Sequence, residues 1–269
     1  MQAQGAVLVG PLGQPAATGP NSNNDDFTNR SVTTGIANVP PGGVTTATGT
    51  VIFAGSVQNT GNSADTLVLT APTVPNGFTV EISIDGGLTY VTVHPGNGSV
   101  SLPVAFGASA NVLVRVTAPA GLSVLTGYDV VVRATSTNTP SATNDTIERL
   151  YTGFVRFDKT ATVINSTGVG GPTDAVPGAV IEYAITYTNI SSAGGSGNHT
   201  LTANNIVITE NGSAVPSTWG TTTDHVVGAS DTRSGVIVGD IAGSVLLTDT
   251  VTTLGPGQSG VFKFRRQIK

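Results

Sequence analysis

The chain of 269 residues has no cysteine, a single tryptophan, and only 11 lysines and arginines. Without cysteine there are no disulfides and no thiolate metal sites. With so few basic residues and a net charge of −5, a nucleic-acid partner is excluded, because such proteins need basic clusters to displace phosphate counterions. The basic residues that do cluster, Lys263, Arg265, Arg266 and Lys269, read as an exposed strand end. No run approaches the roughly 18–20 apolar residues that span a bilayer. The opening "MQAQGAVLVGPLG" is too short and too glycine-rich to read as a signal peptide. Long Ala/Leu/Glu/Lys segments at helical period are missing as well, so helices are not expected.

What is present favours strands and turns. The sequence holds 35 Gly and 15 Pro, and is rich in Thr and Val. β-Branched side chains lose freedom on a helix and pack well on a pleated sheet. From Thr50 onward, apolar residues alternate with polar ones. Val51, Phe53 and Val57 share a face, as do Val80, Ile82 and Ile84. Val112, Val114 and Val116 oppose Arg115, and Tyr128, Val130, Val132 and Ala134 oppose Asp129 and Arg133. "DGG" at Asp85–Gly87 reads as a hairpin turn in which glycine supplies positive φ. The alternation restarts at Phe154–Ile164 and continues through Ile181, Tyr183, Ile185 and Tyr187 to Phe262 and Phe264. The predicted fold is all-β: two tandem immunoglobulin-like antiparallel β-sandwiches, residues 1–153 and 154–269.

Residues 1–49 are rich in Pro, Gly, Asn and Thr, with one short apolar run, Ala6-Val7-Leu8-Val9, and a second near Ser31–Ile36. Alone they bury too little surface to fold. Two uses stay open. The run Ala6–Val9 can donate a strand to a neighbouring copy, or it can add an edge strand to its own first sandwich.

One element occurs twice. "VIFAGSVQNTGNSADTLVL" and "VIEYAITYTNISSAGGSGNHTLTANNIVITENG" each run as a strand into an asparagine, Asn59 or Asn189, then a small-residue gap, then a second strand. The asparagine reads as a turn cap. Residues 56–136 resemble bacterial immunoglobulin-like domains of cell-surface proteins. The second half, with "FDKTATV", "VPGAVIEYAITYTN", "ANNIVITENG" and "LGPGQSGVFKF", resembles conserved-repeat domains of unknown function in large bacterial envelope proteins. The resemblance implies a secreted, structural or adhesive bacterial protein located extracellularly or on the cell surface. It implies no reaction.

No motif gathers catalytic groups. His94, His199 and His225 lie far apart, without a metal-ligand spacing. "GPGQSG" (Gly255–Gly260) matches a phosphate loop by letters only, since a strand follows it where a helix would be needed. "NSNNDDF" offers Asn24, Asp25 and Asp26 as oxygen ligands but lacks a calcium loop's alternate spacing, and reads as a polar turn. Lys159 with Glu182 suggests an isopeptide crosslink, but the last strand has no Asn or Asp to receive it. Sequons begin at Asn29, Asn97, Asn144, Asn165, Asn189, Asn198 and Asn211. Trp219, in "VPSTWGTTTDH", is the candidate for stacking on a sugar. The expectation is therefore a non-enzymatic structural subunit without a cofactor. Its principal partner is itself, in a homopolymer such as a filament, a pilus-like fibre or a surface layer. The alternative is an adhesive module directed at other surface proteins or glycans.

Overall fold

A computed structural model describes residues 2–32, 49–215 and 218–269. Most of the apolar run predicted at Ser31–Ile36 lies outside the described residues. The chain divides into two compact units, Met1–Phe154 with Ser191–Leu201, and Val155–Ile190 with Thr202–Lys269. Among the described residues every regular element is a strand, apart from one 3-10 turn at Trp219–Thr221.

The first unit holds β1 (Val7–Pro11), β2 (Phe27–Ser31), β3 (Gly49–Asn59), β4 (Asp65–Thr73), β5 (Thr79–Ser83), β6 (Val91–His94), β7 (Val100–Val104), β8 (Ser109–Ala118), β9 (Gly127–Ser136) and β10 (Thr143–Tyr151). They form two five-stranded sheets, ordered β1-β3-β8-β5-β6 and β2-β10-β9-β4-β7. One core fills the space between them, with Phe53, Ile82 and Val114 from one sheet meeting Leu67, Leu69 and Val132 from the other. All pairings here are antiparallel except β2 with β10. Ser191–Leu201, the glycine-rich gap of the sequence, belongs to this unit. His199 bridges Thr28 in parallel, and Asn198 accepts from the Phe27 amide at 2.6 Å.

The second unit holds β11 (Val155–Ile164), β12 (Val180–Asn189), β13 (Ala203–Asn211), β14 (Thr223–Asp231), β15 (Val236–Val238), β16 (Leu246–Leu254) and β17 (Ser259–Ile268). Its sheets are ordered β11-β12-β17-β14 and β13-β16-β15. Ile185, Tyr187, Phe262 and Phe264 are buried on the first, and Ile206, Ile208, Leu247 and Val251 on the second.

Period-2 alternation places most of these faces correctly, and its misses have local causes. Ile84 is 38% exposed, because β5 ends at Ser83. The Ser83 hydroxyl donates to Asp85 and accepts from the Gly87 amide, turning the chain before Ile84 can point inward. Tyr183 is only half-buried. Its ring stacks on Phe264 at 4.9 Å, and Lys159 lies 5.0 Å above it. On the outer faces, charges sit directly opposite each other in register. Arg115 meets Glu81, Arg133 meets Asp145 and Arg265 meets Glu182, each at 2.7 Å. Each such cross-strand pair contributes about 0.2–1 kcal/mol.

The doubled sequence element has a doubled hydrogen-bond pattern. The Asn59 amide donates to Ala108 O and the Gly107 amide donates to Asn59 O, both at 3.1 Å. The Asn59 side chain donates to Val104 O at 3.1 Å. In the second unit the Asn189 amide donates to Gln258 O (2.9 Å), Gly257 donates to Asn189 O (3.0 Å), and the side chain donates to Leu254 O (2.9 Å). Both asparagines are fully buried. Each sits where the chain crosses between sheets, from β7 to β8 or from β16 to β17, through a glycine at positive φ (Gly107 71°, Gly257 68°). The asparagine is thus a buried plug at the corner of each sandwich, and Asn59 also caps its own turn as expected, accepting from the Gly61 amide at 3.0 Å and donating to Ser63 O at 2.9 Å.

Removing a plug leaves a buried carbonyl without a donor. Asn59→Ala and Asn189→Ala are each expected to destabilise their own unit by about 2–3 kcal/mol, as read by denaturant melts. A loss below roughly 0.5 kcal/mol would mean that water replaces the amide at no cost.

Candidate functional site: the seam closed by the first strand

Strand β1 pairs antiparallel with β3 of its own chain, from Val7 opposite Asn59 to Pro11 opposite Gly55. Strand alternation turns Val7 and Val9 into the core, while Ala6 and Leu8 stay half-buried. The preceding and following residues are also tied down. Gln4 donates to Asn62 and Gly5 to Thr139, both at 2.8 Å, and Gly13 donates to Ser56 at 2.9 Å. β1 is an edge strand, so alternate backbone groups face away from β3. One of these, the Val9 amide, is taken by the buried side chain of Asn144 on β10 at 2.7 Å. A side chain of one sheet thereby closes the backbone edge of the other.

Below this seam, the inner face of β2 and β10 is polar. Phe27 pairs with Ile147, so Asp26 neighbours Thr146, and Thr28 lies opposite Glu148. All four of Asp26, Thr28, Thr146 and Glu148 are buried. The Thr146 hydroxyl donates to one Asp26 oxygen. Among the described residues, the other Asp26 oxygen, Glu148 Oε2 and the Thr28 hydroxyl meet no hydrogen-bond partner. Glycine makes the room: an ideal Cβ on Gly55 would lie 3.1 Å from Gly10 O and 3.9 Å from Glu148 Oε1. Burial, helped by the charge of Asp25, pushes the Asp26 carboxyl up to about 7. Burial and then the Asp26 charge push Glu148 well above the usual carboxylate range, against the pull of Arg30. Burial thus shifts both neighbouring carboxyls toward their protonated forms. Asp26 and Glu148 are each at most 1% exposed, so the pair is shut off from solvent.

The other residues singled out from sequence do not come together. In "NSNNDDF", Asp25 accepts from the Asn21 and Ser22 amides, Asn24 accepts from the Asp145 amide, and Asp26 turns inward. Lys159 pairs with Glu210, whereas Glu182 pairs with Lys263 and Arg265, so no Lys159–Glu182 couple forms. In the basic C-terminal cluster Lys263, Arg265 and Lys269 are exposed on or just after the last strand as expected, and Arg266 is the exception. Arg266 is 1% exposed and donates to Thr223 and to Ser244 O, and Lys269 pairs with Asp224. Trp219 is half-buried, with the Arg266 guanidinium 4.1 Å from its ring centre and Phe264 at 6.1 Å. An ideal Cβ on Gly212 would lie 2.3 Å from the indole, so the ring is packed from that side too. Three sequon asparagines, Asn29, Asn144 and Asn189, are buried.

Two constellations are absent from those singled out by sequence. The Tyr187 hydroxyl donates to Asp231 at 2.7 Å, beside the fully buried Asp249, whose carboxyl is raised to about 6 by burial and by the Asp231 charge. His225, with its side chain fully buried, bonds Asp240 at 2.7 Å, and Asp240 also takes the Gly228 and Ala229 amides. Alternation through "TDHVV" puts Thr223 and His225 on one inward face, which was the available clue. Among the described residues no three His, Asp or Glu side chains converge as a metal site.

No protein-family model matches the chain, and no curated protein matches it. Among solved structures, the C-terminal domain of the Streptococcus pyogenes antigen I/II-family protein AspA is similar at a TM-score of 0.39 and 7% identity, covering 100% of this chain and 92% of that one. The C-terminal domain of the Streptococcus agalactiae AgI/II polypeptide BspA gives 0.35 and 6%, covering 99% and 92%. A Porphyromonas gingivalis protein of unknown function gives 0.25 and 13%, covering 98% and 84%. Overlaps this slight assign neither family nor function.

The buried pair sets a pH dependence. An Asp26 carboxyl pushed up to about 7 by burial, against an ordinary 3.8, binds an extra proton in the folded state between those limits. Stability of the first unit therefore falls as pH rises from about 4 to 7, by an amount on the order of a few kcal/mol. Glu148 adds to the fall in the same direction. Glu81, lowered by Arg115, and Asp85, lowered by Thr89, act oppositely but only in more acid solution. Calorimetry should show the first unit melting higher at pH 5 than at pH 8, and Asp26→Asn should raise the pH 8 midpoint and flatten the profile. A midpoint that climbs between pH 5 and 8 would refute the assignment.

Proposed function

We propose that this chain is a structural subunit of an extracellular bacterial assembly, self-associating by exchange of strand β1. The reading rests on one observation above all. β1 completes the core of the first unit through a short ladder to β3 and one bond to Asn144, both of which an identical β1 from a second copy would make equally well. The stretch from Leu12 to Asp26 that follows β1 holds no strand, and it includes Gly13 at positive φ, so it can serve as the hinge. Exchange keeps Val7 and Val9 buried, at about 1.5–3 kcal/mol for each side chain. The sparse charge leaves edge strands with little protection against pairing. The resemblance of the sequence to bacterial surface and envelope domains supports the location. An adhesive module acting on other surface proteins or glycans is the reading that remains if copies do not associate.

The chain's lack of cysteine makes a direct test possible. Leu8 and Gln58 are register partners, so the pair Leu8→Cys and Gln58→Cys can form a bridge of ordinary strand-pair geometry. Oxidation at high protein concentration is expected to give covalent multimers on denaturing gels. Oxidation at high dilution is expected to lock the strand in its own chain and to block assembly seen by electron microscopy. Bridges found only within single chains at every concentration would rule out the exchange.

A further inference from the structure

The registers fix where a pulling force enters and leaves each unit. In the first unit the chain enters through β1 and leaves after β10, and Ser191–Leu201 later returns to it beside β2. Gly5 bonds Thr139 and Val9 bonds Asn144, while Gly55, the partner of Pro11, lies beside Glu148. β1 therefore runs in the same direction as β10, and β2 is paired parallel to β10 from Phe27–Ile147 to Ser31–Tyr151. The chain enters at the end of this unit where β10 begins and leaves at the end where β10 finishes.

The second unit repeats the arrangement with different strands. β11 and β17 both pair antiparallel with β12, so they run parallel to each other on its two sides. Val155 lies opposite Asn189, at the end where Ser259 lies opposite Thr188. The exit, Ile268, follows Gln267, which pairs with Val180 at the other end. Again the chain enters at one end of the sandwich and leaves at the other, along the strands.

We infer that both units are built to resist tension applied along the chain, because such tension shears their terminal strands instead of peeling them. Ladder hydrogen bonds lie across the strand axis. When two paired strands are pulled lengthwise in opposite directions, all bonds of the ladder share the force and must fail together. When they are pulled apart from the same end, the bonds fail one after another. Here β2 against β10 meets the first case, and so does β17 against β12, whose Asn189 end runs on into Ser191–Leu201 of the first unit while β17 ends at the opposite end. β1 is dragged along its own axis against β3, and its displacement must also extract Val7 and Val9 from the core. Across the β12–β17 ladder, Glu182 braces the sheet by pairing with Lys263 and Arg265. Resistance of this kind belongs to the unfolding barrier and not to equilibrium stability. The inference follows from strand direction alone and holds whether or not copies self-associate.

Single-molecule force spectroscopy tests it on the whole chain, using cysteine handles that the native sequence does not compete with. One arm carries handles at the two chain ends. The other carries handles at the C-terminal end and at Ser166→Cys, an exposed position in the turn after β11 and at the same end of the second unit as Ile268. Thr173→Cys, exposed in the same connection, is the substitute if the first variant folds poorly. The end-to-end arm is expected to unfold the second unit at a force several-fold higher than the same-end arm at equal loading rate. Equal forces in the two arms, or a lower force end to end, would overturn the inference. A chain that stays monomeric and still shows the difference would separate this inference from the assembly reading.

Discussion

Three buried asparagines, Asn59, Asn144 and Asn189, bond backbone groups at the two sheet crossings and at the outer edge of β1. A stack of two sheets has weak points where the chain crosses between sheets and where an outer strand turns its backbone away from its only neighbour. A buried, unmatched carbonyl or amide there costs about 1–3 kcal/mol. With no cysteine to staple those places, the chain uses primary amides, which donate and accept at once. Asn59 and Asn189 secure the two crossings, and Asn144 secures the open edge of β1. Everything else in the first unit follows from that closure. β1 can be an integral strand only because its outward amide has a partner, and the polar patch beneath it stays dry only because β1 stays in place.

The same closure explains why the buried carboxyls are tolerable. Asp26 and Glu148 sit on strands that would otherwise carry apolar residues inward, and a charged pair there would be strongly unfavourable. Burial favours their neutral forms, and the price is a seam whose stability depends on pH. The chain concentrates this sensitivity at the strand proposed to exchange. Release of β1 and ionisation of the pair therefore favour one another, since each exposes the other to water.

How much of this was legible in the sequence depended on what faced inward. β3, β8, β9, β12 and β17 carry apolar residues on their inner faces and announced themselves by alternation. β10 did not, because its inner residues are Asn144, Thr146, Glu148 and Leu150, and only the last is apolar. β2 was missed for the same reason, with Asp26 and Thr28 turned inward. The repeat ending in Asn59 and Asn189 was visible, and its meaning was legible only in part. Asn59 caps its local turn as the sequence suggests, but the corner carbonyls that Asn59 and Asn189 also serve lie 45 and 65 residues further on. Ala6–Val9 was recognised as a strand from its apolar run alone. Its choice of β3 as partner was not encoded locally, because the ladder joins segments separated by the long turn-rich stretch that contains β2. The buried acid pair likewise unites residues more than a hundred positions apart, where local pattern has no reach.

The central claim is that β1 is sealed into the first unit by a side chain from the opposite sheet. Amide hydrogen exchange of Val9, followed by nuclear magnetic resonance on the intact chain, addresses that claim most directly. If Asn144 holds that amide in a closed seam, Val9 exchanges as slowly as the central amides of β3, near the limit set by unfolding of the whole unit. If Val9 instead exchanges at the rate of a frayed terminus while β3 stays protected, the seam is open and the account of the first unit is wrong.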